Sequence, residues 1–333
     1  MKGIMKTSKA GTVMLALTLS LSGLLSACTT TGKNVQQGAE SKPANATATQ
    51  TASVPKEISL KHAMGEAKLT GIPQRVVVLD NGALDNLLAL GVKPIGAPTV
   101  QLDQPYPKYL KNQTEGIVNI GTVDEPNLES IAKQKPDLIL GSKDTHEKIY
   151  EKLKQLAPTV YVETLGFTWK ENLKLQAQAV GKEAEAAKLL KSYDDRMKDF
   201  RTQMGDRLSN TNVSILRPRA DHVRIYLKSS FSGIIVDDAG LKRPATQQGA
   251  GLSVNATEEQ VANMAGDAII WFSRDKEHLL KTKLVNNPLW QKLDAVKANR
   301  VYEADPETWL SGLGYQAANL VVDDLFKFIV PAK

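Results

Sequence analysis

The chain carries one cysteine, Cys28. That scarcity excludes an internal disulfide and any zinc site built on several thiolates. Histidine is nearly as rare: His62, His146, His222 and His278 stand far apart and match no metal-ligand spacing. No Gly-x-Ser-x-Gly elbow occurs. Ser-x-x-Lys appears twice, at Ser130–Lys133 and Ser273–Lys276, without the partner motifs of a serine acyl-enzyme. A hydrolase is therefore a remote alternative. After the first thirty residues, no apolar run is long enough to span a bilayer. What is present is ordinary globular material, 42% hydrophobic and 23% charged over 333 residues, enough for about two domains.

The N-terminus has its own logic. Lys2, Lys6 and Lys9 precede an uncharged stretch with VMLALTLSLSGLL at its heart. A basic start, an apolar middle and small residues after it form a secretory signal. Leu25-Ser26-Ala27-Cys28 resembles the bacterial lipobox, in which the cysteine is acylated and cleavage falls just before it. The expectation is a signal peptide over 1–27 and a lipid-anchored Cys28 on the extracytoplasmic face of the cell membrane. Loss of three lysines and no acid lowers the formal charge from +6 to +3, which demands no nucleic-acid partner. Residues 28–56, rich in Thr, Ala, Gln and Asn, bury too little to offset their ordering entropy and read as a flexible tether.

Beyond residue 57, short β-rich runs alternate with helical patterns, which predicts α/β architecture. Expected strands are 75–80, 94–97, 117–121, 137–142 and 159–163, then 213–219, 223–228, 268–273 and 300–304. ALDNLLALG predicts a helix capped by Asn81 and closed by Gly91; a second covers 127–135, stopped by Pro136. A helix over 170–180, ended by Gly181, precedes a rod over 182–204 with Ala184, Ala187, Leu190, Tyr193, Met197, Phe200 and Met204 on one face. An echo links the halves: NLESIAKQKPDLILGS and TEEQVANMAGDAIIWFS each read as helix, aspartate (Asp137, Asp267), then buried strand. The expected fold is two α/β lobes, each with a mostly parallel central sheet flanked by helices, joined by one long α-helix. The N-terminal lobe is expected over 57–168, the connecting helices over 169–204 and the C-terminal lobe over 205–333.

GTVDEPNLESIAKQKPDLILGS with IYEKLKQLAPTV, the rod, and NPLWQKLDAVKANRVYEADPETW together resemble the iron-siderophore and cobalamin substrate-binding proteins of ABC importers, over roughly residues 72–330. RPRADHVRIYLKSSFSGIIVDDAGLKRP resembles most the binders of ferric hydroxamate and citrate-based siderophores. The resemblance implies a shallow cleft between the lobes, little motion on binding, no catalysis and no resident cofactor, since the siderophore brings its own iron ligands. It implies an ABC permease and its ATPase as partners of a monomer, met through one acid per lobe. Glu129 matches the first position and Asp238 is the nearest match to the second.

Read on their own terms, the residues of this stretch predict a cationic hairpin. Alternation puts Ile215, Arg217 and Arg219 on one face of the first strand. In the second, Val223, Ile225 and Leu227 share one face and His222, Arg224 and Tyr226 the other. Packing the apolar side inward presents the cationic side, and Pro218 suits a rim. Arginine's planar fork holds carboxylate oxygens in pairs. A solvated hairpin with an ordinary polar face has the same alternation; the resemblance favours ligand contact, with His222 a donor to a siderophore oxygen and no ligand of iron. Weaker candidates are Trp309, at a cleft-border position of the family; Lys143 and Arg274, each just after a strand; and Tyr106, in the DQPYPKY loop. The expected ligand is a ferric siderophore of carboxylate or mixed hydroxamate–citrate type, with cobalamin or haem as the alternative.

Overall fold

Short runs of branched aliphatic residues build two five-stranded sheets. A computed structural model describes residues 57–99, 105–273 and 278–330. The expected signal peptide, the tether with Cys28, and Arg274 lie outside the described residues. An opening hairpin, β1 (Glu57–His62) and β2 (Gly65–Thr70), was not expected from sequence. The N-terminal lobe then runs β3 (Val76–Val78), α1 (Asn81–Ala89), β4 (Gly96–Thr99), β5 (Val118–Thr122), α2 (Leu128–Lys133), β6 (Leu138–Ser142), α3 (Lys143–His146), α4 (Tyr150–Lys154) and β7 (Thr159–Val162). Its sheet is parallel, in the order β5-β4-β3-β6-β7. Helices cover both faces, so its central strands are apolar throughout. Val76, Val78, Leu138 and Leu140 enter one cluster, and Val77, Leu79, Ile139 and Tyr161 the other.

Two helices follow, α5 (Trp169–Ala179) and α6 (Glu183–Met204). Gly181 turns between them at φ +66, as its place in the sequence predicts. The 22 residues of α6 span roughly 33 Å. Tyr193, Met197, Phe200 and Met204 are buried as expected, but the first turns bury Ala186 and leave Ala184 and Ala187 exposed. Alanine offers too little apolar area to decide which side of a helix faces inward.

The C-terminal lobe contains β8 (Val213–Pro218), β9 (Val223–Tyr226), α7 (Phe231–Asp238), β10 (Ser253–Ala256), β11 (Ala268–Trp271), α8 (His278–Asn286), α9 (Asp294–Lys297), β12 (Val301–Glu303), α10 (Pro306–Trp309) and α11 (Tyr315–Ile329). Its sheet order is β10-β9-β8-β11-β12. β8, β11 and β12 are parallel, while β9 and β10 each run antiparallel to the preceding neighbour. One apolar cluster contains residues of both lobes and of α6, including Val78, Trp169, Phe200, Ile215, Ile270 and Val321.

The internal echo has a physical basis. Asp137 accepts the N–H groups of Gln74 and Arg75, both at 2.8 Å, just before β3. Asp267 accepts the N–H of Asn212 at 2.7 Å, just before β8. Each aspartate thus ties the start of its own strand to the start of the neighbouring strand. The helix expected before Asp267 is a 3₁₀ turn over Val261–Met264. The cap of α1 also differs: Asp80, fully buried, accepts the Ala83 N–H at 2.8 Å, and Asn81 is the first helical residue. That role ends the expected 75–80 strand early.

His62 fixes the β1–β2 hairpin to the edge of β7. Its Nδ1 accepts the N–H groups of Met64 at 3.2 Å and Tyr161 at 3.3 Å, and Ala63 N–H donates to the Tyr161 carbonyl at 2.9 Å. With Nδ1 accepting, Nε2 carries the proton towards the Tyr150 hydroxyl, 3.3 Å away. Burial, then the charge of Lys154, lowers the imidazole pKa below the ordinary 6.5. The contact is therefore fully stabilising above pH 6.5 and is lost as pH falls through the lowered value. Hydrogen exchange at the Ala63 and Tyr161 amides should accelerate, after correction for intrinsic rates, between pH 7 and pH 5, and His62→Gln should flatten that profile; a flat wild-type profile contradicts it. A second expectation concerns Gly141 in β6, where a Cβ would stand 2.8 Å from the Tyr161 ring and 3.0 Å from Leu79. Gly141→Ala should cost about 1–3 kcal/mol by overpacking, measured by chemical denaturation; an unchanged midpoint contradicts it.

Candidate functional site

The β8–β9 hairpin has the register its sequence predicts. Leu216 pairs with Ile225, Arg217 with Arg224 and Pro218 with Val223; the Arg219 N–H donates to the His222 carbonyl at 2.8 Å to close the turn. Leu216, Val223, Ile225 and Leu227 enter a cluster confined to the C-terminal lobe. Ile215 and Tyr226 enter the cluster shared by both lobes. Arg217 and Arg224 therefore project from the sheet face that looks towards the shared core.

These side chains are wholly or partly withdrawn from water. Arg217 is 7% exposed and Tyr226 4% exposed, while Arg219, His222 and Arg224 are half-buried. His222 Nε2, Arg224 Nε and the Tyr226 hydroxyl are buried with no hydrogen-bond partner among the described residues. Polar atoms kept dry and unsatisfied are costly and gather at sites with work to do. His222 Nδ1 lies 2.7 Å from Asp221 Oδ1, and this contact holds the Asp221 carboxyl below its usual range. The Tyr226 ring lies 5.5 Å from Phe272, and Phe272 6.5 Å from Trp309. This aromatic row runs from the hairpin face to α10.

The strand ends of the two lobes meet at one boundary. α10 follows β12, and its Glu307 carboxylate accepts the Lys108 N–H at 2.7 Å from the loop after β4. Asn81, just after β3, donates its side-chain amide to the Ser311 carbonyl at 3.3 Å. Open α/β sheets bind ligands at the carboxyl ends of their strands. The cationic end of β8 stands at this end of its own sheet.

The other expected residues divide. Lys143 opens α3 directly after β6, with its ammonium 2.9 Å from Glu163. Tyr106 is half-buried and donates to the Ile117 carbonyl at 3.3 Å; burial pushes its phenol up to about 12. Trp309 is 1% exposed and donates through Nε1 to Asp324 at 2.8 Å, so it supports the wall from within the core. Glu129 is exposed in the first turn of α2. Asp238 is turned inward. It accepts the Lys170 ammonium at 2.7 Å and the Tyr193 hydroxyl at 2.8 Å, and so ties α7 to α5 and α6. The docking role that resemblance carries to Asp238 thus falls on a side chain already engaged, with Lys170 also seated 4.9 Å over the Tyr193 ring.

Sequence reasoning missed Asp80, Asn81 and Ser142 at the ends of β3 and β6. Each has a buried oxygen with no partner among the described residues: Asp80 Oδ2, Asn81 Oδ1 and Ser142 Oγ. The signal was present in RVVVLDN, where polar residues end a wholly apolar strand. Among the described residues, no three His, Cys, Asp or Glu side chains gather to hold a metal ion, and no helix is long and apolar enough to cross a membrane. What the hairpin offers chemically is a set of donors, planar and charged, for an anionic partner.

Comparison with known proteins agrees with this architecture. The family model described as "Periplasmic binding protein" matches residues 76–308. The chain is 36% identical over 288 residues to the "Probable siderophore-binding lipoprotein YfiY" of Bacillus subtilis (strain 168), covering 83% of this chain and 88% of that protein. It is 31% identical over 262 residues to the "Achromobactin-binding periplasmic protein" of Dickeya dadantii (strain 3937), covering 76% and 86%. Among solved structures, Staphylococcus aureus SirA complexed with staphyloferrin B superposes with a TM-score of 0.76 at 36% identity, over 82% of this chain and 98% of that one. A family match that runs from the first strand of one lobe to α10 of the other, with relatives aligned over most of their own length, means that the chain belongs to the periplasmic binding protein family.

Proposed function

We propose that this protein captures a ferric siderophore outside the cytoplasm and delivers it to an ABC importer by reversible binding, without catalysis. The observation that carries the reading is the inward-facing pair of buried Arg217 and half-buried Arg224, with Arg219, His222 and Tyr226 beside it. The relatives support it: one was solved with staphyloferrin B, another is named for achromobactin, and a third for siderophores. These names favour a siderophore over cobalamin or haem.

Guanidinium forks suit carboxylate oxygens, which makes a carboxylate or mixed hydroxamate–citrate chelate the preferred class. The iron arrives already coordinated, so the protein's task is to recognise the outside of the complex. Arg217, Arg219, His222, Arg224 and Tyr226 are assigned to ligand contact, with Lys143, Tyr106 and Arg274 as further contacts and Trp309 as a supporting wall. Glu129 is assigned to permease docking; Asp238, committed to Lys170 and Tyr193, is the weaker half of that pair. Cys28 is assigned to lipid anchorage and residues 28–56 to the tether.

Titration of the mature protein with ferric citrate-based, hydroxamate and catecholate siderophores, followed by tryptophan fluorescence, tests the reading. The citrate-based class should saturate at the lowest concentration, and Arg224→Gln should weaken it roughly 10- to 100-fold, the worth of a charged hydrogen bond. No saturable response in any class, or an unaltered Arg224→Gln titration, contradicts it. Cys28→Ser should move the protein from the membrane to the soluble fraction and abolish incorporation of labelled palmitate; retention of both contradicts lipidation.

A further inference from the structure

The spacer helix is not the only joint between the lobes. Asp85 and Asn86 lie within α1, where the sequence suggests a polar face, yet both are 0% exposed. Their partners lie in the other lobe. α11 begins after Gly314, which has no side chain with which to cap it. Asn86 Oδ1 accepts the Tyr315 N–H at 2.8 Å. Asp85 Oδ1 accepts the Gln316 N–H at 2.6 Å, and Asp85 Oδ2 accepts the Ala317 N–H at 3.0 Å. The opening N–H groups of a 15-residue helix are thus satisfied by side chains of the opposite lobe. The carboxylate also meets the positive end of the helix dipole.

The same carboxylate gathers elements at the lobe boundary. The Tyr109 hydroxyl donates to Asp85 Oδ2 at 2.9 Å and holds the loop that contains Tyr106. Gln113 of that loop donates to Gln316 at 2.9 Å, and Asn86 donates to Gln176 of α5 at 2.8 Å. The fit is close. A Cβ on Gly314 would stand 2.7 Å from Asp85 Cβ and Cγ, and one on Gly82 would stand 2.9 Å from the Leu313 carbonyl oxygen. Leu313 itself adopts φ +60, an unusual conformation for a residue with a side chain, so the approach to α1 is held against local strain.

We propose that Asp85 is a positioning residue for ligand capture: its carboxyl caps α11 across the lobe boundary and so fixes the Tyr106 loop of one lobe against α10 and α11 of the other. Its effect on binding rests on the siderophore reading; its effect on the joint does not. Around Asp85 the titratable groups are Tyr109 from the loop and, behind it, Asp305 and Glu307 flanking and within α10; the other direct partners, from α11, are uncharged. Burial pushes Asp85 up to about 7 against the pull of the Gln316, Ala317 and Tyr109 hydrogen bonds. In an opened joint the carboxyl is hydrated and returns towards its ordinary value. The closed joint therefore binds the proton more tightly. Closure is strongest in acid, weakens as pH rises towards about 7, and is level above it.

The test uses the mature chain, first without ligand. Hydrogen exchange at the Gln316 and Ala317 amides, corrected for intrinsic rates, should rise between pH 4 and pH 7. Asp85→Asn should remove that pH dependence and raise exchange at these two amides about tenfold at pH 5, the cost of leaving one backbone N–H without an acceptor oxygen, with β8 and β11 amides unchanged. Should Asp85→Asn fail to fold, Tyr109→Phe withdraws one donor from the carboxylate, leaves the backbone contacts in place, and should move the midpoint of the exchange profile to higher pH. In the second arm, dissociation of a ferric citrate-based siderophore should be several-fold faster in either variant. Wild-type exchange and dissociation rates in both variants overturn the proposal, as does faster exchange spread evenly over β8 and β11, which marks general destabilisation. A wild-type protein that binds no siderophore defeats the functional reading instead, and the exchange arm then decides the joint alone.

Discussion

Two arginines facing each other across an antiparallel pair set the terms for the rest of the molecule. Like charges placed directly opposite destabilise a strand pair. Arg217 and Arg224 nevertheless occupy one such pair, on the buried side of β8 and β9. The opposite face supplies the compensation: Leu216, Val223, Ile225 and Leu227 are each at most 2% exposed. Burial of four aliphatic side chains contributes on the order of 6–12 kcal/mol, several times the cross-strand repulsion of about 0.2–1 kcal/mol. The hairpin can thus hold its cations together before any ligand arrives. On the proposed function, an anionic chelate meets cations already in place, and such preorganisation favours affinity.

The remaining structure keeps that face towards the core common to both lobes. The parallel sheets place loops at their carboxyl ends, and α10 and the loop after β4 bring those ends together. α6 resists bending, and Lys170 and Tyr193 on Asp238 tie it to both neighbours. The carboxyl of Asp85 adds a polar joint to the apolar core common to both lobes.

Much of this was legible in the chain because it follows from local periodicity. β-rich runs in RVVVLD and DLILGS marked strands, alternation in the RPRADHVRIY hairpin assigned its faces, and the Tyr193–Met204 stripe marked the inward side of the rod. Where the signal is weak or non-local, it failed. Ala184 and Ala187 were read as buried because alanine fits either side of a helix. Asp85 and Asn86 look like solvent-facing residues because the helix end they cap lies about 230 positions away, a contact no local sequence window detects. Asp238 is matched to a docking position, and its engagement is hidden for the same reason: Lys170 and Tyr193 reach it from other helices. The β1–β2 hairpin and β10 depend on edges of sheets assembled from distant strands.

The central claim is that the inward guanidinium groups recognise the anionic exterior of a preformed iron complex. A crystal structure of the mature protein with a ferric citrate-based siderophore addresses it most directly. The account predicts chelate oxygens within hydrogen-bond distance of Arg217 and Arg224, at the boundary between the lobes. A chelate seated elsewhere, with both guanidinium groups turned away from it, would contradict the account.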